Sequence, residues 1–183
     1  SYTLNNALIQ DSNGDTIVDE TGAPLAVQGL EIKQDGSWSF DPDHSAYNAL
    51  AENETQTITV NYQVADADGL TDGNSFVITL TGTNDAPIAT FSAALSTSED
   101  SRQGSLVGQL PDVDNNGDAL TYALAAETIG QNILGLVFTP DGSFSFDPAA
   151  DSTRVIADGS AETITVNYNV TDSIGGITQS SFD

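Results

Sequence analysis

Thr57-Ile58-Thr59-Val60-Asn61-Tyr62-Gln63-Val64 is the most informative stretch of the chain. Ile58, Val60, Tyr62 and Val64 fall on one side of an extended backbone, and Thr57, Thr59, Asn61 and Gln63 fall on the other. A period of two, rich in β-branched and aromatic residues, predicts a half-buried strand. Its first six residues return as Thr163-Ile164-Thr165-Val166-Asn167-Tyr168. On its N-terminal side, Asp35-Gly36-Ser37-Trp38-Ser39-Phe40-Asp41-Pro42 returns as Asp141-Gly142-Ser143-Phe144-Ser145-Phe146-Asp147-Pro148. One offset of about 106 residues aligns both pairs without a gap, and about 19 of about 42 positions agree, so the chain contains an internal repeat.

Each repeat reads as β. Ser37–Phe40 follows an Asp35-Gly36 turn, a hairpin signal. Ser75–Thr81 alternates with Phe76, Ile78 and Leu80 on one face. No stretch keeps a helical period over three turns, and Ser45–Ala51 has room for a turn or two only. Short strands separated by Asp, Asn and Gly clusters predict an all-β chain of two tandem antiparallel β-sandwiches of Greek-key type, joined end to end. Trp38 aligns with Phe144, which predicts a core position. The boundary falls at Thr83-Asn84-Asp85-Ala86-Pro87, giving domains 1–84 and 85–183.

The two repeats are out of phase. Ser1-Tyr2-Thr3-Leu4 matches Thr121-Tyr122-Ala123-Leu124, so repeat one has no counterpart of Ile88–Leu120. Repeat two reaches Ser181-Phe182-Asp183, short of a counterpart of Ile78–Thr81. A piece of a longer array accounts for both. A second reading has a neighbouring chain supply the missing strands by β-augmentation. Repeat one also carries about 14 extra residues between Leu4 and Asp35.

The 183 residues have a formal net charge of −24, with Lys33, Arg102 and Arg154 as the only Lys or Arg. Most carboxylates therefore have no side-chain counter-ion, and left alone they repel one another. Clustered carboxylates suit a hard divalent cation, Ca2+ above all. Such a surface disfavours nucleic acid and anionic membranes as partners. There is no cysteine, hence no disulfide and no thiol site. No run of about 18 apolar residues predicts a membrane span. His44 is the single histidine, which argues against a His-based metal cluster or catalytic triad, and reads as a solvated loop residue. Paired carboxylates are the tools of glycoside hydrolysis. Here they sit in repeated loops, where a cation is the simpler reason, so the chain reads as no enzyme.

Several motifs together carry a family resemblance. They are Asn84-Asp85-Ala86-Pro87, Asp112-Val113-Asp114 before Leu120-Thr121-Tyr122, Asp41-Pro42-Asp43 with Tyr47 following, and Asp172 after Tyr168-Asn169-Val170-Thr171. The chain resembles the cadherin-like repeats of large bacterial adhesins, including the VCBS and RTX-adhesin type, over nearly its full length. The resemblance implies calcium at the junction between successive domains. Asp41 and Asp43 would contribute from domain one, Asn84 and Asp85 from the linker, and Asp112, Asp114 and Asp172 from domain two. Asp66 and Asp68 would serve a junction with a preceding domain, and Glu99, beside Asp100, would be the early acidic ligand at the base of domain two. Asp43 stands where the family has the longer Glu.

Asp11-x-Asn13-x-Asp15 resembles the first half of an EF-hand or dockerin-type loop, with Asp19 or Glu20 to close the shell. Gly is absent from position six and Gly22 stands at position twelve, so a polar hairpin tip is the alternative. The functional expectation is a calcium-binding extender segment of a secreted or cell-surface adhesin. Its partners would be neighbouring repeats of the same protein, with a host or biofilm surface ligand as a further candidate. Two alternatives are a calcium-dependent carbohydrate- or peptide-binding module, and an accessory domain of a secreted polysaccharide-degrading enzyme.

Overall fold

A computed structural model describes residues 1–98, 105–150 and 156–183. The chain divides into two compact units, Ser1–Asn84 and Asp85–Asp183. It is almost entirely β, its sheets are antiparallel, and its fold is Ig-like.

Unit 1 contains β1 (Tyr2–Gln10), β2 (Leu30–Ile32), β3 (Trp38–Phe40), β4 (Thr55–Ala65) and β5 (Thr71–Thr81). One sheet has the order β1-β4-β5, and β2 and β3 form a separate pair. Unit 2 contains β6 (Leu106–Gln109), β7 (Thr121–Leu124), helix α1 (Ala126–Gln131), β8 (Leu136–Phe138), β9 (Ser143–Phe146), β10 (Val166–Thr171) and β11 (Ile177–Phe182). Its sheets are β11-β10-β7 and β6-β9-β8. Strands adjacent in space are distant in sequence, β6 with β9 and β7 with β10. This is the crossing pattern of an Ig sandwich.

The repeat holds to the level of individual backbone pairs. Ile32 faces Trp38, and Phe138 faces Phe144. Leu4 faces Tyr62, and Leu124 faces Tyr168. The Tyr2 N–H donates to the Gln34 carbonyl at 3.1 Å, and the Tyr122 N–H donates to Pro140 at 3.0 Å. The alternating strand of repeat one is β4, with Ile58 and Val60 fully buried. In unit 2 the corresponding strand β10 starts only at Val166, opposite Phe182, and buries Tyr168 and Val170 completely. Each unit has its own apolar cluster: one around Ile9, Tyr47, Leu50, Ile58, Val60 and Leu80, the other around Leu110, Tyr122, Phe144, Val166, Tyr168, Val170 and Phe182. Burying each large apolar side chain contributes about 1.5–3 kcal/mol.

Three features depart from the sequence reading. The first is the extra length of repeat one. Beyond Leu4 a register shift carries β1 on to Gln10 along β4, where unit 2 leaves its sheet for α1. Helix α1 is too short to show a helical period in sequence. It is anchored by Thr128, whose Oγ donates to the Asn167 carbonyl at 3.0 Å and accepts from the Asn167 N–H at 2.7 Å. The second is Trp38, which is 53 % exposed where its counterpart Phe144 is 4 % exposed. Trp38 rests on Phe76 with ring centres 4.9 Å apart, but among the described residues no strand lies along the outer edge of β3. The third is His44, which is half-buried and not simply solvated. Its Nδ1 accepts from the Ala46 N–H at 3.2 Å and caps the short helical turn Ser45–Tyr47.

Candidate functional site

Among the described residues, nine aspartates accept the backbone N–H of the residue two positions on: Asp11, Asp19, Asp35, Asp41, Asp66, Asp114, Asp141, Asp147 and Asp172. Each is an Asx turn, in which a short carboxylate satisfies the N–H groups of a tight loop. The backbone thus supplies part of the positive partner that the side chains lack. Five of them, Asp11, Asp19, Asp66, Asp114 and Asp172, also take the N–H four positions on.

The Asp11 loop forms the tip of a hairpin turn closed by the Asp11 N–H donating to the Asp15 carbonyl and the Gly14 N–H donating to the Asp11 carbonyl. Asp11 Oδ1 accepts the Asn13 and Asp15 N–H groups, both at 2.9 Å. The Asn13 amide donates to Asp11 Oδ2 at 3.4 Å, so it turns its N–H and not its carbonyl toward the carboxylate. Asp19 builds a separate turn, accepting the Thr21 hydroxyl at 2.6 Å and the Ala23 N–H at 3.1 Å. These donors hold both carboxyls below their ordinary range, led by the Asp15 N–H for Asp11 and by the Thr21 hydroxyl for Asp19. Asp15 and Glu20 are exposed.

Asp41 accepts the Asp43 N–H at 3.1 Å, and Asp43 is exposed. Asp66 accepts the N–H groups of Asp68 and Leu70, both at 2.9 Å, and closes the β4–β5 turn. Glu99 lies outside the described residues.

The acidic end of unit 2 is built differently. Asp112 is a structural acceptor: Oδ1 takes the Thr90 N–H at 2.9 Å and Oδ2 takes the Tyr168 hydroxyl at 3.1 Å. Burial raises the Tyr168 phenol to about 12, and the Asp112 charge adds to that rise. Burial and the same charge also push Tyr122 upward. Asp172 is 5 % exposed, and its Oδ1 takes the N–H groups of Ile174, Gly175 and Gly176 in the β10–β11 turn. The adjacent Ser173 hydroxyl donates to Asp118 Oδ1 at 2.8 Å, tying this turn to the Asp112–Asp118 loop. Half-buried Asp85 joins the same loop through its N–H, which donates to Asn116 Oδ1 at 2.7 Å. Asn84 is likewise half-buried.

Asp114 stands at the centre of these links. Its Oδ1 accepts Asn116 N–H at 2.8 Å and Asp118 N–H at 3.3 Å, while its Oδ2 is buried and has no hydrogen-bond partner. A buried carboxylate oxygen without a donor carries a desolvation cost of about 1–3 kcal/mol or more. A cation removes that cost, so this oxygen fits a metal. No group of three acidic or histidine side chains at metal-ligating spacing occurs among the described residues. Calcium here would take part of its shell from carbonyls and water.

The family description "Bacterial Ig domain" matches residues 84–183, more than half of the chain. The chain belongs to the bacterial Ig-domain family. Bacterial Ig domains are typical of extracellular or surface proteins, and Ig-like folds are typically structural or adhesion domains without enzymatic activity. No curated protein matches the sequence. Two solved structures of cadherin type resemble it: protocadherin gamma C5 EC1-3 at 11 % identity and TM-score 0.47, and mouse protocadherin-24 EC1-3 at 13 % and 0.42. Each overlay covers 100 % of this chain, which spans 54 % and 57 % of those chains. No helix among the described residues of this bacterial Ig chain is long and apolar enough to cross a membrane.

Proposed function

We propose that the Asp112–Asp118 end of the bacterial Ig unit binds calcium, and that the chain is an extender segment of a secreted or cell-surface adhesin of cadherin-like, VCBS or RTX type. The buried, donorless Oδ2 of Asp114 carries this reading. Asp85, Asp118 and Asp172 belong to the same linked set and are the next oxygen donors. The cadherin-like resemblance adds Asn84 from the linker. A net charge of −24 gives the cation its long-range attraction. Calcium bound only by the folded chain stabilises it by mass action, about 2.7 kcal/mol at a hundredfold excess over Kd. In a run of repeats the same ions stiffen the rod that carries an adhesive tip.

Calcium titration calorimetry of the chelator-stripped chain, beside thermal melts, tests the site. Calcium is expected to release or absorb heat saturably and to raise the melting temperature. Asp114→Asn should weaken binding about tenfold or more, equivalent to about 1.4 kcal/mol. Asp118→Asn should weaken it less, because Ser173 already satisfies that carboxylate. Absence of a calcium signal, or equal loss in both variants, refutes the assignment. Solution scattering with and without chelator tests the extender separately: an unchanged profile leaves binding in place and removes the stiffening.

A further inference from the structure

The chain has two Asn-Gly steps, and both lie in one pentapeptide pattern, Asp-x-Asn-Gly-Asp. The two copies are Asp11-Ser12-Asn13-Gly14-Asp15 and Asp114-Asn115-Asn116-Gly117-Asp118. Their loops are built alike. Asp11 Oδ1 accepts the Asn13 and Asp15 N–H groups, both at 2.9 Å. Asp114 Oδ1 accepts those of Asn116 and Asp118 at 2.8 Å and 3.3 Å. The Gly14 N–H donates to the Asp11 carbonyl at 3.0 Å, and the Gly117 N–H donates to the Asp114 carbonyl at 3.3 Å. Gly14 has φ +87° and Gly117 has φ +79°. A Cβ at either glycine would meet nothing within 4 Å, so both are open to approach.

What differs is the grip on the asparagine side chain. Asn116 is half-buried, and its Oδ1 accepts the Asp85 N–H at 2.7 Å, so a backbone group 31 positions away holds its amide in place. Asn13 is exposed, and its amide makes a long contact of 3.4 Å with Asp11 Oδ2, inside its own loop. A hydrogen bond of that length is weak and exchanges readily for water.

We propose that Asn13-Gly14 is a site of spontaneous deamidation in the folded chain, and that Asn116-Gly117 is protected from the same reaction by its tertiary contact. The Gly14 nitrogen, on losing its proton, attacks Asn13 Cγ. The Cγ–Nδ2 bond breaks, ammonia leaves, and a five-membered imide forms. Water then opens the ring. Addition at Cγ gives aspartate, and addition at the Asn13 main-chain carbonyl leaves Gly14 bonded to Cγ, which is isoaspartate. Water is the one co-reactant, and nothing is oxidised or reduced. Glycine makes the step accessible, because the missing Cβ leaves its nitrogen unobstructed and its backbone free to reach the ring geometry. Ring closure is intramolecular, so its rate follows how often Cγ reaches that nitrogen. Holding Oδ1 denies Asn116 that approach. The product at position 13 adds one negative charge and sets carboxylates at 11, 13 and 15. In isoaspartate the extra backbone carbon also parts the two N–H groups that Asp11 gathers. The hairpin tip of unit 1 thus changes with age while the matching loop of unit 2 does not. This inference is independent of the calcium reading.

The full chain is held at pH 8 with chelator, so that no cation orders either loop, and peptide maps are read by mass spectrometry over days. Asn13 is expected to convert to isoaspartate and aspartate, with isoaspartate in excess, and Asn116 to convert several-fold more slowly. In the urea-unfolded chain the two should convert at similar rates, so the ratio in the folded chain measures the protection. Conversion of Asn13 should slow several-fold at pH 6, because the attacking nitrogen must lose its proton. Asn13→Gln would have to close a six-membered ring, and should stop conversion in that loop while leaving Asn116 as in the parent chain. Equal rates for Asn13 and Asn116 in the folded chain overturn the proposal. So does an Asn13 that converts in urea and not in the folded chain. Aspartate at position 13 without isoaspartate would mean direct hydrolysis and would remove Gly14 from the reaction.

Discussion

The carboxylate of Asp141 accepts the hydroxyls of Ser143 and Thr139 and the Ser143 N–H. These donors, the Ser143 hydroxyl foremost, hold its pKa at about 2, against an ordinary value of 3.8. The sign follows from proton binding. Between those two values the unfolded chain binds more protons than the folded chain. The stabilisation is therefore complete above pH 3.8 and is lost as pH falls toward 2. Asp141→Asn should melt lower than the parent at pH 6, and the gap should close at pH 2. A gap of equal size at both pH values would contradict this. The same chemistry explains why candidate metal ligands were only partly legible in sequence. Asp-x-Asp and Asp-x-Asn present two oxygens to an ion, but the same spacing lets the first Asp accept the N–H of the third residue. Asp11 and Asp114 share that spacing and the same two backbone bonds. What separates them is burial of one oxygen, Asp114 Oδ2, and burial comes from neighbours distant in sequence.

At the scale of elements, the two repeated hairpins share one glycine requirement. Gly142 has φ +82°, and Gly36 has φ +89°. Each supplies the left-handed residue of its turn and lies against a tyrosine ring. Gly142→Ala should cost about 1–2 kcal/mol through the backbone alone, before any displacement of Tyr122. Denaturant unfolding checks it, and an unchanged midpoint would mean that the turn relaxes freely. The Asp-Gly turn and the alternating strand were both legible, since each is a local rule. Helix α1 was not. Its six residues are held by Thr128 bonding the backbone of Asn167, a contact no local pattern announces. In unit 1 the equivalent Asn61 meets Asn6 instead, where its amide donates at 2.7 Å.

For the whole molecule, the two apolar clusters share no residue. Ile58→Ala and Leu110→Ala should each cost about 2–5 kcal/mol, and each should lower only one of two calorimetric transitions. If both transitions move together, the units unfold as one. The order of residues alone is enough to establish the β character, the internal repeat, the hairpin turn and the acidic loops. These follow from side-chain alternation and turn chemistry, which act over a few residues. Whether an aligned residue is covered was settled only by packing. Trp38 and Phe144 occupy the same repeat position, yet one is open and the other lies under β6, because burial depends on which strand lies alongside. The same holds for charge. Aspartates alike in sequence become exposed turn formers or a candidate cation site according to whether folding buries their second oxygen.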